Sequence, residues 1–148
     1  MRIAIDTNIL VYAEGINGEK ARQDAETLIA RLRSNTLIMP AQVLGELYNV
    51  LERKGRFSGA MANQSVREWG NLGEIAGTTP DAFRIAADLA ADHHFQIWDA
   101  VILSVASAAA CRLLLSEDLQ DGFAWGGVTV VNPFAADPHP LLVAVLDA

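Results

Sequence analysis

The feature that most constrains this chain is a set of short apolar runs that show no polar alternation and stop on polar or acidic residues. Ile3-Ala4-Ile5 ends on Asp6, with Thr7 and Asn8 directly after it, and Leu113-Leu114-Leu115 ends on Ser116, Glu117 and Asp118. A strand with one face in water alternates, whereas a strand covered on both faces does not, so these runs predict buried strands of a parallel sheet. Thr36 to Met39 and Val128 to Val131 read as further short strands.

Between the runs the apolar spacing becomes helical. A short helix from about Asn8 leads into the Gly/Asn turn EGINGE, and a second helix covers roughly 19–33, with Ala21, Ala25, Leu28, Ile29 and Leu32 on one face. Pro40 starts a helix that runs to about Lys54, with Val43, Leu47, Val50 and Leu51 on its apolar side and Gly55 as its stop. Residues 58–72 and 81–94 predict two more helices, separated by EIAGTTP, whose Pro80 resets the chain. Asp99 to Cys111 is apolar all round and reads as a buried helix. Strand–helix units joined by short loops predict an α/β fold, a three-layer α/β/α sandwich with a central parallel sheet. With 148 residues, 51% of them hydrophobic and 20% charged, the chain fits a single domain over residues 1–148.

Composition narrows the setting. Cys111 is the one cysteine, so no intramolecular disulfide is available and a reducing compartment is expected. The first strand begins too early to leave room for a secretory leader, which points to the cytoplasm. The apolar stretch Ala100 to Leu115 carries Arg112 and is shorter than the ~20 residues a spanning helix needs, so no membrane role is expected. The net charge of −7 is uneven: residues 1–74 hold nine basic and nine acidic side chains, residues 75–148 two basic and nine acidic. Phosphate contacts need Lys and Arg, so a polyanion must approach the first half or be bridged by metal ions. The densest cations there are Arg53, Lys54 and Arg56, the candidates to contact a polyanion backbone.

The acids carry the chemistry. Asp6 lies at the carboxyl end of a strand, where open α/β sheets keep their ligands, and it is also a favoured helix N-cap. Glu46 sits where the apolar arc of its helix meets the polar arc of Gln42, Asn49 and Arg53, a place for a solvated acid as well as for a ligand. Asp99 is the one acid between Ile97 and Ser116, at the start of a buried helix; it is either an N-cap or a carboxylate that needs a partner charge or a metal. Asp118 follows a buried strand directly, in a loop with Glu117 and Asp121. All four of Asp6, Glu46, Asp99 and Asp118 can converge on one edge of the sheet, where like charges need a cation among them. Oxygen ligands without nearby His or Cys select Mg²⁺ or Mn²⁺. Ser104, Ser107, Cys111 and the pair His93-His94 sit in no triad-like context, and no glycine-rich phosphate loop is present.

These residues resemble the PIN domain, and specifically the VapC-like ribonuclease toxins of toxin–antitoxin pairs. The resemblance runs from Met1 to about Pro133 and rests on Asp6-Thr7-Asn8 after a first strand, Glu46 in a helix, Trp98-Asp99-Ala100, and the later Ser116-Glu117-Asp118. It implies that Asp6, Asp99 and Asp118 hold the metal, with Glu46 as the fourth catalytic acid. Asn8 and Ser116 would support the site, and Asp121 is a candidate fifth acid. It further implies a Mg²⁺-dependent endoribonuclease, with Mn²⁺ as a substitute ion, that hydrolyses phosphodiesters by a metal-activated water. Its partners would be RNA, a small VapB-like antitoxin and a second copy in a homodimer. A PIN-fold nuclease outside a toxin–antitoxin system, or a non-catalytic PIN-like binding scaffold, are the alternatives. The chain is more acidic than its resemblance suggests, and its apolar Leu141 to Leu146 tail predicts either a helix closing the fold or part of a partner surface.

Overall fold

The computed structural model describes residues 1–148, in the order β1 (Arg2–Ile5), α1 (Thr7–Ala13), α2 (Glu19–Arg31), β2 (Thr36–Pro40), α3 (Ala41–Arg53), α4 (Gly59–Leu72), β3 (Glu74–Ala76), α5 (Pro80–His93), α6 (Ile97–Ala108), β4 (Leu113–Leu115), β5 (Ala124–Trp125), β6 (Val128–Val131) and α7 (Pro140–Leu146). The strands form one sheet in the order β3-β2-β1-β4-β6-β5. Every pairing is parallel except β5 with β6. β1 is central: Ile3 lies opposite Leu37 on one side and Leu113 on the other. Ile3, Ala4 and Ile5 are fully buried, as their unalternating pattern requires.

The chain steps outward from β1 to β2 and β3, then returns to β4 on the other side of β1. Right-handed crossovers therefore put α1 to α4 on one face and α5 with α6 on the other. The helix contacts divide the same way: α1 packs on α2 and α3, and α3 on α4, while α5 packs on α6. The reversal of direction opens a crevice beyond the carboxyl ends of β1 and β4, the place where doubly wound sheets bind ligands.

Helix α6 is buried from Ala100 to Ala106, and its Ser104 hydroxyl donates to the Ala82 carbonyl of α5 at 2.7 Å. It begins two residues before Asp99, at Ile97, with Gln96 as its cap, so Asp99 lies in the first turn and caps nothing. This removes the N-cap reading of Asp99. Asp6, in contrast, does cap α1 by accepting from the Thr7 N–H.

Two strands lie outside the sequence expectation. The EIAGTTP stretch is not a plain connection, because Glu74–Ala76 pairs with β2 as an edge strand. Gly73 admits it: a Cβ there would lie 2.4 Å from the Leu37 carbonyl oxygen, so only glycine lets the chain pass this close. The antiparallel β5 is turned into β6 by Gly126 and Gly127, both at positive φ (58° and 82°), the geometry of a tight hairpin. The apolar tail forms α7, whose Leu142 and Val145 join the core, so it closes the fold; Arg31 of α2 donates to the Leu146 carbonyl at 3.2 Å. No helix is long and apolar enough to cross a membrane.

Candidate active site

The crevice above β1 and β4 is built by extending two ladders past their strand ends. The Asp6 N–H donates to Leu115 O at 2.9 Å, and the Ser116 N–H to Val131 O at 3.0 Å, which fixes both backbones before their side chains turn inward. Asp6 is 5% exposed and Ser116 fully buried. One Asp6 oxygen accepts from the Thr7 N–H at 2.7 Å; the other accepts from Ser116 Oγ at 2.6 Å and Asn8 Nδ2 at 3.3 Å. Ser116 Oγ in turn accepts from the N–H groups of Asp118 and Leu119, both at 3.2 Å, and so shapes the loop that carries Asp118. The Asn8 amide also donates to Asp118 at 3.0 Å, joining the acids that follow β1 and β4.

Glu46 arrives from α3. Its two oxygens accept from Thr7 Oγ1 at 2.5 Å and Gln42 Nε2 at 2.7 Å. Gln42 Nε2 also donates to the Trp98 carbonyl at 3.1 Å, tying α3 to the first turn of α6 and bringing Asp99 beside Glu46. Gln42 was legible only as part of a polar arc; its spacing of four from Glu46 is the signal for this contact.

The cluster sets carboxylates against one another in a partly buried crevice. Burial pushes Asp6 up to about 6, against the hydrogen bonds from Ser116 and Thr7, and the charges of Glu46 and Asp99 push the same way. Asp99 is raised by burial first, then by Glu46 and Asp118. None of the ion pairs in the molecule involves any of these acids. No three of them are drawn tightly enough together to make a finished metal shell. The Asn8 amide stands between Asp6 and Asp118, and the all-oxygen donor set fits a hard divalent cation.

From the acids a cleft of about 510 Å³ runs along α3, past Asn49 and Val50 to Lys54, with Tyr12 and Asn17 on its opposite wall. Of the three cations expected near an RNA backbone, Lys54 lines this cleft; Arg53 and Arg56 are exposed and do not. The helical repeat does not separate them, since Arg53 lies seven residues from Glu46 and four from Asn49 on the same face of α3, and Lys54 is the residue that caps the helix. Asp121 stands apart from the cluster. Its carboxylate accepts from the Asn132 N–H at 2.8 Å, and no hydrogen bond joins it to the four acids.

The profile of the PIN domain family matches residues 3–123. The chain belongs to the PIN domain family. Among solved structures, this PIN domain is similar to VapC20 of Mycobacterium tuberculosis, described as a sarcin–ricin loop cleaving toxin. The two share 19% identity over 78% of this chain and 89% of that one, with a TM-score of 0.64. It is also similar to the VapBC2 complex of Rickettsia felis bound to a DNA fragment from its promoter, at 20% identity over 80% of this chain and 88% of that one, with a TM-score of 0.59. At these identities the likeness concerns the fold. No curated protein sequence matches the chain.

Proposed function

We propose that this PIN domain is a Mg²⁺-dependent endoribonuclease, the toxin of a type II toxin–antitoxin pair, acting in the cytoplasm as a single-domain homodimer restrained by a small VapB-like antitoxin. The observation that carries the reading is the gathering of Asp6, Glu46, Asp99 and Asp118 from four separate elements into one crevice with no basic partner. The activity described for VapC20 supports RNA as the substrate, and the VapBC2 complex supports a small protein partner.

Asp6, Asp99 and Asp118 would hold Mg²⁺ or Mn²⁺, which when bound supplies Lewis-acid polarisation of a phosphodiester and a more acidic water. The chain's own groups do the positioning. Thr7 and Gln42 leave the Glu46 carboxylate fixed at the side of the crevice, where it completes the oxygen cage or orients the attacking water. Ser116 and Asn8 hold Asp6 and Asp118 in register. Lys54 stands along the cleft as a phosphate contact.

The test is cleavage of defined RNAs by protein freed from any co-expressed partner, with and without EDTA. Cleavage that requires Mg²⁺ and disappears in Asp99→Asn is expected. Full activity in Asp99→Asn would overturn the site, cleavage of DNA alone would move the enzyme to another substrate, and metal binding without any cleavage would leave a scaffold.

A further inference from the structure

Tyr12 and Asn17 belong to two cavities at once. They form one wall of the acid cleft and one wall of a neighbouring cavity of about 380 Å³, which is otherwise lined by Lys20 and Asp24 of α2, Glu117 and Phe134. Glu117 directly precedes Asp118, so the second cavity opens beside the acids. The rings of Tyr12 and Phe134 pack on each other, 5.8 Å apart at a tilt of 49°, and both rest against the core, so together they form one aromatic wall. The Glu117 carboxylate beside the Tyr12 hydroxyl, together with burial, pushes the phenol up to about 12.

The lining says what this space accepts. Asp24 and Glu117 repel a phosphate, yet they offer acceptors to N–H donors, and the rings offer stacking area. Lys20, its side chain 89% exposed and its ammonium 2.9 Å from Asp24, stands at the rim, where a nucleic-acid backbone would pass. A nucleobase satisfies all of these. Guanine fits best, because its Watson–Crick edge carries two adjacent donors for one carboxylate, while uracil offers a single N–H between two acceptors. The Glu117 carboxylate has lone pairs for both donors.

We propose that this cavity is a base-specificity subsite for a nucleotide flanking the scissile phosphate, with Phe134 stacking a guanine, Tyr12 bounding it at the side and Glu117 accepting from its N1–H and N2–H. The subsite rests on the ribonuclease reading above and adds a sequence preference to it.

Binding of labelled hexauridylate, and of a set in which one guanosine is moved through each position, is measured by fluorescence polarisation with Ca²⁺ in place of Mg²⁺; cleavage is mapped with Mg²⁺. Guanosine at one position should raise affinity about tenfold and place the cut beside it. Glu117→Gln should reduce that gain, taken as the ratio to hexauridylate binding by the same variant, to within about twofold, and Phe134→Ala should weaken binding of either base at that position. If Phe134→Ala does not fold, Asn17→Ala on the shared wall takes its place. A guanosine gain that survives Glu117→Gln, or affinity independent of base, overturns the subsite. So does a Phe134→Ala variant that loses only its hold on a protein partner. If RNA is cut in a Mg²⁺- and Asp6-dependent way without base preference, the subsite alone fails; if RNA is not cut at all, the ribonuclease reading fails with it.

Discussion

Replacing Asp6 by Asn removes the most deeply buried charge in the fold, and its effect on stability follows from the surroundings of that carboxyl. Asp6 is 5% exposed, and burial lifts it from an ordinary value of 3.8 to about 6. Above about pH 6 the folded chain carries a desolvated anion that the unfolded chain carries in water; a shift of roughly two units is about 3 kcal/mol of destabilisation. The sign comes from the proton count. Below about pH 4 both states hold the proton and nothing is lost; between about 4 and 6 the unfolded chain releases it first and stability falls; above about 6 the loss is complete. Asn carries no charge but has one acceptor oxygen for the Thr7 N–H and Ser116 Oγ, and the missing hydrogen bond takes back about 1 kcal/mol. Asp6→Asn should therefore be more stable than the wild type by about 2 kcal/mol near neutral pH in EDTA, roughly 4–8 °C in Tm for a chain of this size. Thermal unfolding across a pH series measures this, and the gap should close or reverse near pH 4. Millimolar Mg²⁺ should narrow it at neutral pH, because an ion bound only by the native wild type raises its Tm by mass action. A wild type more stable than Asp6→Asn at neutral pH in EDTA, or a gap indifferent to pH, refutes the burial argument. No response of the wild type to Mg²⁺ or Mn²⁺ refutes the cage.

Ser116→Ala should destabilise the fold by about 2–3 kcal/mol in urea titrations, because the N–H groups of Asp118 and Leu119 lose their acceptor and Asp6 loses a donor at a fully buried position. Asp121→Asn should leave Mg²⁺-dependent cleavage nearly intact, since its carboxylate accepts from the Asn132 N–H; a loss equal to that of Asp99→Asn would make it a fifth acid of the site. Lys54→Glu should flatten the salt dependence of RNA binding by roughly 0.7 in log–log slope, with smaller changes for Arg53→Glu or Arg56→Glu, and equal slopes for all three would place the backbone elsewhere.

What the sequence revealed and what it concealed divide along physical lines. Unalternating runs locate β1, β2, β4 and β6, since burial on both faces leaves a local trace. Asp6 was legible both as a cap and as a strand-end acid, and it is both. The edge strands β3 and β5 were not, because three and two residues are too few to show any period. Their traces lay instead in Gly73 and in the Gly126-Gly127 pair. Glu46 could be placed on its helix but not at its destination, which depends on a Gln42–Trp98 contact spanning 56 residues. The choice among Arg53, Lys54 and Arg56 needed the conformation of the chain where α3 ends, which charge density does not encode.

The brevity of those two edge strands bears on how copies of this chain can meet. A sheet recruits a neighbour by offering a long row of unpaired backbone groups, and here one border is a three-residue strand bearing Glu74, itself paired with Arg2 at 2.9 Å, and the other is a two-residue hairpin arm. Neither border can template an added strand of useful length. Strand addition is thereby disfavoured as a route by which copies meet, and the parallel core is shielded from the open-ended stacking to which exposed sheets are prone at high local concentration.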